Sequence, residues 1–248
     1  MRNPWILATA STVALAGAHE AQAAGVPYSW TGFYIGANLG ATAHDATTQD
    51  LNGWGGSGTQ PYVSPWFKSN KTTASFGGQA GYSWQMSYFV VGVETDVSYI
   101  GSSNTFVPPN NLVAAGCGTN CGALATNELT WLSTLRGRAG IAVDRLLFFG
   151  TAGVAVGQVN NHWGWGGPGF SDSQFSVDST RVGYVVGVGI EAMITQHLAV
   201  RAEAMHVDLG TTRSTITGTP NCCAPFGTFT TEFKNTADIG RVALTYRW

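Results

Sequence analysis

Apolar and polar positions alternate along this chain with a period of two. In residues 240–248, GRVALTYRW, one row is Gly240, Val242, Leu244, Tyr246 and Trp248, and the other is Arg241, Ala243, Thr245 and Arg247. Such a period puts the rows on opposite faces of a strand. A soluble domain gains nothing by ending an apolar row on Tyr and Trp, whereas these side chains suit a membrane–water boundary. Seven further stretches carry a strand pattern. Residues 31–41 place Phe33, Ile35, Ala37 and Leu39 on one face, and residues 73–84 do the same with Ala74, Phe76, Ala80, Tyr82 and Trp84. Residues 88–100 set Phe89, Val91, Val93, Val97 and Tyr99 against Glu94 and Asp96. Residues 127–143 alternate Leu129, Trp131, Leu135, Ala139 and Ile141 with Thr130, Thr134, Arg136, Arg138 and Gly140. Residues 146–158 are broken by Gly and β-branched residues, which favours a strand over a buried helix. Residues 180–194 set Tyr184, Val186, Val188 and Ile190 against Gly187, Gly189 and Glu191, and residues 198–209 set Val200, Ala202 and Ala204 against Arg201 and Glu203.

The connections alternate in length. Residues 85–87, 144–145 and 195–197 read as tight turns; 42–72, 101–125, 159–178 and 210–230 read as long loops rich in Gly, Thr, Asn and Pro. Eight strands with short and long connections in turn predict an all-β fold, an eight-stranded antiparallel up-and-down transmembrane barrel with short periplasmic turns and long extracellular loops. Only a closed barrel satisfies strand hydrogen bonds in lipid.

Composition sharpens this picture. Charged residues make up 10% of the chain, against about a quarter in soluble proteins. A soluble eight-stranded barrel of lipocalin type would need a Lys- and Glu-rich exterior; here the polar row is mostly Gly, Ser and Thr. A net charge of −2 gives no footprint for nucleic acid. The start, with Arg2, an apolar run over residues 4–18 and Ala21-Gln22-Ala23, reads as a signal peptide of residues 1–23, cleaved after Ala23. Residues 24–248 are then one barrel domain. Export implies an oxidising compartment, so Cys117, Cys121, Cys222 and Cys223 are disulfide candidates of open connectivity.

If the apolar row faces lipid, the other row faces inward. It carries Glu94, Asp96, Arg136, Arg138, Glu191, Arg201, Glu203 and Arg241, four acids and four bases. An eight-stranded lumen has room for side chains alone, so these charges are expected to form a paired internal network. The two acids of the third strand and the two arginines of the fourth are expected to meet at similar depth.

The residues also carry a resemblance. WTGFYIGANLG (30–40), WLSTLRGRAG (131–140), VGVGIEA (186–192), RAEAMHVDLG (201–210) and GRVALTYRW together resemble the small porin-like outer-membrane proteins of alphaproteobacteria, often called outer-membrane immunogenic proteins, within the OmpA-like eight-stranded barrels. The resemblance implies the outer membrane of a Gram-negative bacterium. It also implies that Val242, Leu244, Tyr246 and Trp248 form the C-terminal signal read by the barrel-assembly machinery. The expected partners are outer-membrane lipid and that machinery, with the loops as candidates for host or environmental surface ligands.

No catalytic constellation, metal site or cofactor is called for. His206-Val207-Asp208 reads as a strand end, and the Gly-rich run 164–169 lacks the strand–helix context of a phosphate loop. Some members of the family the chain resembles are described as haemin binders; His162, Trp163 and Trp165 offer one loop His without a second ligand. The sequence points to a non-enzymatic barrel with a structural and surface-interaction role. The alternative is a narrow porin for small solutes or ions.

Overall fold

The computed structural model describes residues 28–51, 67–106, 122–166, 173–218 and 227–248. The signal segment and all four cysteines lie outside the described residues. Eight strands form: β1 (Gly32–Asp50), β2 (Phe67–Met86), β3 (Phe89–Phe106), β4 (Gly122–Val143), β5 (Leu146–Gly166), β6 (Ser173–Met193), β7 (Leu198–Gly218) and β8 (Gly227–Arg247). Each pairs antiparallel with the next, and β8 returns to β1, closing the barrel. The tight turns use left-handed backbone at Ser87 (φ 60°) and Asp144 (φ 53°), the geometry that two-residue hairpin turns require. At the third turn, the Ile194 and Thr195 amides donate to the Leu198 carbonyl.

The outward row is apolar where the chain crosses lipid. Phe33 (66% exposed), Leu135 (64%) and Val188 (65%) stand on the outside, as do Val242, Leu244, Tyr246 and Trp248. An apolar exterior this extensive is stable only against a nonpolar solvent. On each strand the band runs for about nine to eleven residues, the length that spans a bilayer.

Strands continue well past this band, into segments the sequence assigns to loops. β1 reaches Asp50 rather than ending at Ala41, β2 begins at Phe67, β3 runs to Phe106, β5 to Gly166 and β7 to Gly218. Beyond Ala41 the outward positions Asp45, Thr47 and Gln49 are polar, as are the inward Thr42, His44 and Thr48. The alternation vanishes there, but backbone pairing does not depend on it.

Bulges alter the ladder at two sites. At the first, β3 carries an extra residue at Ile100–Gly101 against β4, and β4 carries an extra residue at Thr130–Trp131 against β5. Leu129, expected on the outward row with Trp131, therefore turns inward and is buried, as is Leu132. The second lies between Asp208 and Thr211 of β7. Gly101 (φ +58°) and Gly210 (φ +75°) supply the left-handed residue at the two sites.

The bulges sit where the ring stops being fully paired. β2 and β3 pair only from Met86↔Phe89 to Phe76↔Tyr99, and β6 and β7 only from Met193↔Ala199 to Tyr184↔Asp208. The other six interfaces stay paired far above these points. Outside the membrane the barrel thus becomes two four-stranded leaves, β7-β8-β1-β2 and β3-β4-β5-β6. Their inner faces, with His44, Thr48, Phe233 and Asn235 on one and Ser102, Asn127, Val159 and Asn161 on the other, are buried.

Candidate functional site in the lumen

Strand pairing brings the inward charges together before any side chain bends. Glu94 lies opposite Arg136 on β3 and β4, Glu191 opposite Arg201 on β6 and β7, and Glu203 opposite Arg241 on β7 and β8. Each of these three acids has an arginine directly across a ladder, and long side chains then reach across the lumen. Arg136 binds Glu94, Asp96 (2.9 Å) and Glu203 (2.6 Å). Arg201 joins Glu94 (2.5 Å) to Glu191 (3.0 Å). Arg241 contacts Glu203 (2.8 Å) and Asp96 (3.3 Å). Arg138 donates to Glu191 (2.8 Å) and to the Tyr34 hydroxyl (3.1 Å), and Tyr34 donates in turn to Glu94 (2.7 Å).

All eight charged residues named from sequence are buried in one network. Their pairing differs in one respect from the expectation. Asp96 sits opposite Thr134 and Arg138 opposite Gly92, so these two do not meet. Asp96 is held by Arg136, Arg241 and the Thr134 hydroxyl (2.5 Å), and Arg138 turns towards β6.

Sequence reasoning missed a ninth charge. Arg247 shares the row of Arg241, and its inward direction follows from the same alternation. It is buried near the periplasmic end, donating to the Trp30 carbonyl (2.9 Å) and Glu191 (3.4 Å). The network therefore holds five guanidinium groups against four carboxylates, one positive charge in excess. Aromatic faces take part of that excess. The Arg138 guanidinium lies 4.3 Å from the centre of the Phe149 ring, and that of Arg247 lies 4.9 Å from Trp30 and 4.7 Å from Tyr34. Tyr34 falls on the row opposite Phe33, Ile35 and Leu39, so the alternation places it in the lumen; nothing marked Trp30 or Phe149 there, because apolar types were assigned to the lipid face.

Apolar residues close both ends of the network. Towards the periplasm, Trp30, Val90, Ala142, Leu147, Phe149, Met193 and Ala199 form one cluster. Towards the exterior, Ile100, Leu129, Leu132, Ala155, Val159 and Val185 pack with Met205, Val207, Leu209, Ala237 and Ile239. The order along each strand shows the layering. β3 passes from Val90 through Glu94 and Asp96 to Ile100, and β7 from Ala199 through Arg201 and Glu203 to Met205 and Val207. The charge network thus lies between two apolar clusters, with the buried polar Ser83, Gln79, Asn38 and Ser75 of β1 and β2 beside it.

Other candidates are placed elsewhere. His206 faces outward, just beyond the apolar band, and its Nδ1 lies 2.6 Å from Asp238. Both side chains are substantially exposed. Among the described residues no cluster of His, Cys, Asp and Glu is arranged to hold a metal ion. His162, Trp163 and Trp165 belong to β5; their side chains lie outside the described set. The terminal row lies on the lipid face beside β1, where the Trp248 amide donates to the Phe33 carbonyl (3.1 Å).

An outward apolar band, a closed eight-stranded ring and a filled lumen define an outer-membrane β-barrel. The family model for the outer-membrane protein β-barrel domain matches residues 8–230. The chain is 32% identical over 182 residues to a 22 kDa outer membrane protein of Rhizobium leguminosarum bv. viciae, covering 73% of this chain and 64% of that protein's length. It is 32% identical over 195 residues to a 31 kDa outer-membrane immunogenic protein of Brucella melitensis biotype 1, covering 74% and 72%. Among solved structures, OprG of Pseudomonas aeruginosa superposes with a TM-score of 0.51 at 14% identity, over 88% of this chain and 96% of that one. The outer membrane protease OmpT of Escherichia coli gives 0.50 at 9% identity, over 90% and 99%. At such identities the likeness is one of fold alone. The chain belongs to the outer-membrane protein β-barrel domain family and resides in the outer membrane of a Gram-negative bacterium.

Proposed function

We propose that this protein is a sealed structural barrel of the outer membrane, with surface contacts made by its extracellular leaves. The observation that carries this reading is the layering of the lumen, with a paired charge network between two apolar clusters. Water-filled pores need a continuous polar path, and side chains fill an eight-stranded interior. The charges act here as register pins: a one-residue slip of β3, β4, β6, β7 or β8 would turn its arginines or carboxylates into lipid. The outward apolar row contacts lipid, and Val242, Leu244, Tyr246 and Trp248 present the assembly signal to the barrel-assembly machinery. The names of the matched Rhizobium and Brucella relatives describe outer membrane proteins without naming a reaction.

The test is conductance of the refolded protein in a planar bilayer. The sealed barrel gives no stepwise current at any holding potential. Reproducible unitary steps that change size in Arg138→Ala would establish the narrow porin instead.

A further inference from the structure

Beyond the membrane the two leaves leave four strand edges without a ladder partner, two at each seam. The seams differ. At the β2/β3 seam, side chains bridge the gap: the Thr73 hydroxyl donates to the Ile100 carbonyl (3.3 Å), and the Lys71 ammonium to the Ser103 carbonyl (2.9 Å). At the β6/β7 seam, no hydrogen bond among the described residues crosses above Tyr184↔Asp208.

The free edge of β7 is suited to pairing. Residues 209–218 read LGTTRSTITG, with five β-branched residues, no Pro and one charge, Arg213. A long, Pro-free edge with little charge is a template for another strand. Natural sheets blunt such edges, and the bulge at Gly210 protects only its beginning. Across the seam on β6, Arg181 donates to the Ser179 hydroxyl (2.9 Å) and has no carboxylate partner among the described residues, whereas Arg213 is held by Glu232 (2.8 Å). A guanidinium beside an open edge, with no carboxylate on it among the described residues, favours a segment carrying one.

We propose that the β6/β7 seam is a strand-addition site at which β7 takes up an extended, acidic polypeptide segment of another protein outside the cell. The proposal rests on the surface-interaction part of the function above and names the kind of partner. Main-chain hydrogen bonds to β7 supply the binding, and Arg181 selects the acid. A second copy of this chain fits less well. Copies in one membrane stand the same way up, so a two-fold axis along the membrane normal sets their β7 edges parallel, the weaker pairing. Pairing β7 of each copy with β6 of the other would need both seams to open towards one two-fold axis, and such pairing would depend on protein concentration.

The probe is a synthetic peptide with the sequence of residues 227–233, GTFTTEF, acetylated and amidated so that its Glu side chain is its one charge; this segment already complements β7 within β8. Amide hydrogen exchange is followed on the full mature protein in lipid nanodiscs. Seam-facing amides of residues 211–217 exchange readily in the free protein and slow by about tenfold or more at saturating peptide, while β8 amides stay protected. The same peptide N-methylated at alternate residues has no effect, Arg181→Glu weakens binding about tenfold, and Arg181→Lys retains it. Full protection of the β7 edge without peptide, no slowing at millimolar peptide, or equal slowing by the N-methylated peptide overturns the proposal. Protection that rises with protein concentration alone assigns the edge to a second copy and also overturns it. Unchanged binding by Arg181→Glu removes the acidic preference. Conductance does not enter this readout, so a failed peptide leaves the sealed lumen standing, and a conducting lumen leaves the edge standing.

Discussion

Replacing Glu191 with Gln is the most severe single test of the lumen. This carboxylate accepts from Arg138 (2.8 Å), Arg201 (3.0 Å), Arg247 (3.4 Å) and the Thr245 hydroxyl (3.1 Å). Gln keeps the volume and one acceptor oxygen but removes the charge. Five guanidinium groups then face three carboxylates, and the excess rises from one positive charge to two. Breaking a buried ion pair from one side costs about 3–5 kcal/mol. Arg138 and Arg201 keep Glu94 as a second partner, whereas Arg247 loses its sole carboxylate. A loss of about 4 kcal/mol follows, nearly a thousandfold in the folding equilibrium. Adding Arg247→Met returns the excess to one and leaves an apolar chain against Trp30, so the double variant should recover about half of the loss. Arg247→Met alone brings four charges against four and should be mild. Urea unfolding of the refolded barrel in lipid vesicles, read by Trp fluorescence, measures all three. A Glu191→Gln loss below about 1 kcal/mol, or a double variant whose loss equals the sum of the singles, would refute the network as the element that holds the lumen.

Two glycines separate crowding from backbone strain. A Cβ at Gly81 would meet the Tyr34 ring and hydroxyl and the Val93 carbonyl, so Gly81→Ala should cost about 1–3 kcal/mol, with little relief from Tyr34→Phe, which leaves the ring and the carbonyl in place; Gly210 has open space around it but φ +75°, so Gly210→Ala should cost about 1–2 kcal/mol from backbone strain alone. Urea midpoints of these variants decide both. Deleting Trp248, or changing it to Asp, should sharply lower the heat-modifiable barrel recovered from outer membranes; normal levels would remove the assembly role of the terminal row. Thiol titration of protein purified without reductant should find fewer than four free groups among Cys117, Cys121, Cys222 and Cys223, and four free thiols would reject the disulfides.

How much was legible in the sequence depended on depth in the membrane. Within the apolar band, lipid forces the alternation, so Phe33, Val93, Leu135 and Val242 declare their face and their neighbours Glu94, Arg136 and Arg241 declare the lumen. Beyond the band both faces are polar, and Thr42, His44 and Thr48 of β1 carry the composition of a loop though they lie in a ladder. The bulge at Thr130–Trp131 was hidden because it flips a face without changing residue type, which left Leu129 on the wrong side. The lumen plugs were hidden for a related reason. Trp30, Phe149 and Leu132 are apolar at inward positions, and a rule equating apolar with lipid cannot find them.

The pairing of β1 with β8 has a consequence for the order in which the barrel is made. Tyr34 meets Arg247 and Asp50 meets Thr231, so the seal joins the two ends of the chain. Contacts between such remote segments form slowly, and the growing sheet carries two open edges until the end. Without β8, the inner row holds Arg136, Arg138 and Arg201 against Glu94, Asp96, Glu191 and Glu203, one carboxylate too many. The last strand brings Arg241 and Arg247, and its Arg241 falls opposite Glu203 in the closing register. Closure therefore takes the interior from one negative charge in excess to one positive. A β8 shifted by one residue would carry both arginines out to lipid, and an unfinished ring retains a negative interior that attracts this cationic strand as a keeper attracts a latch.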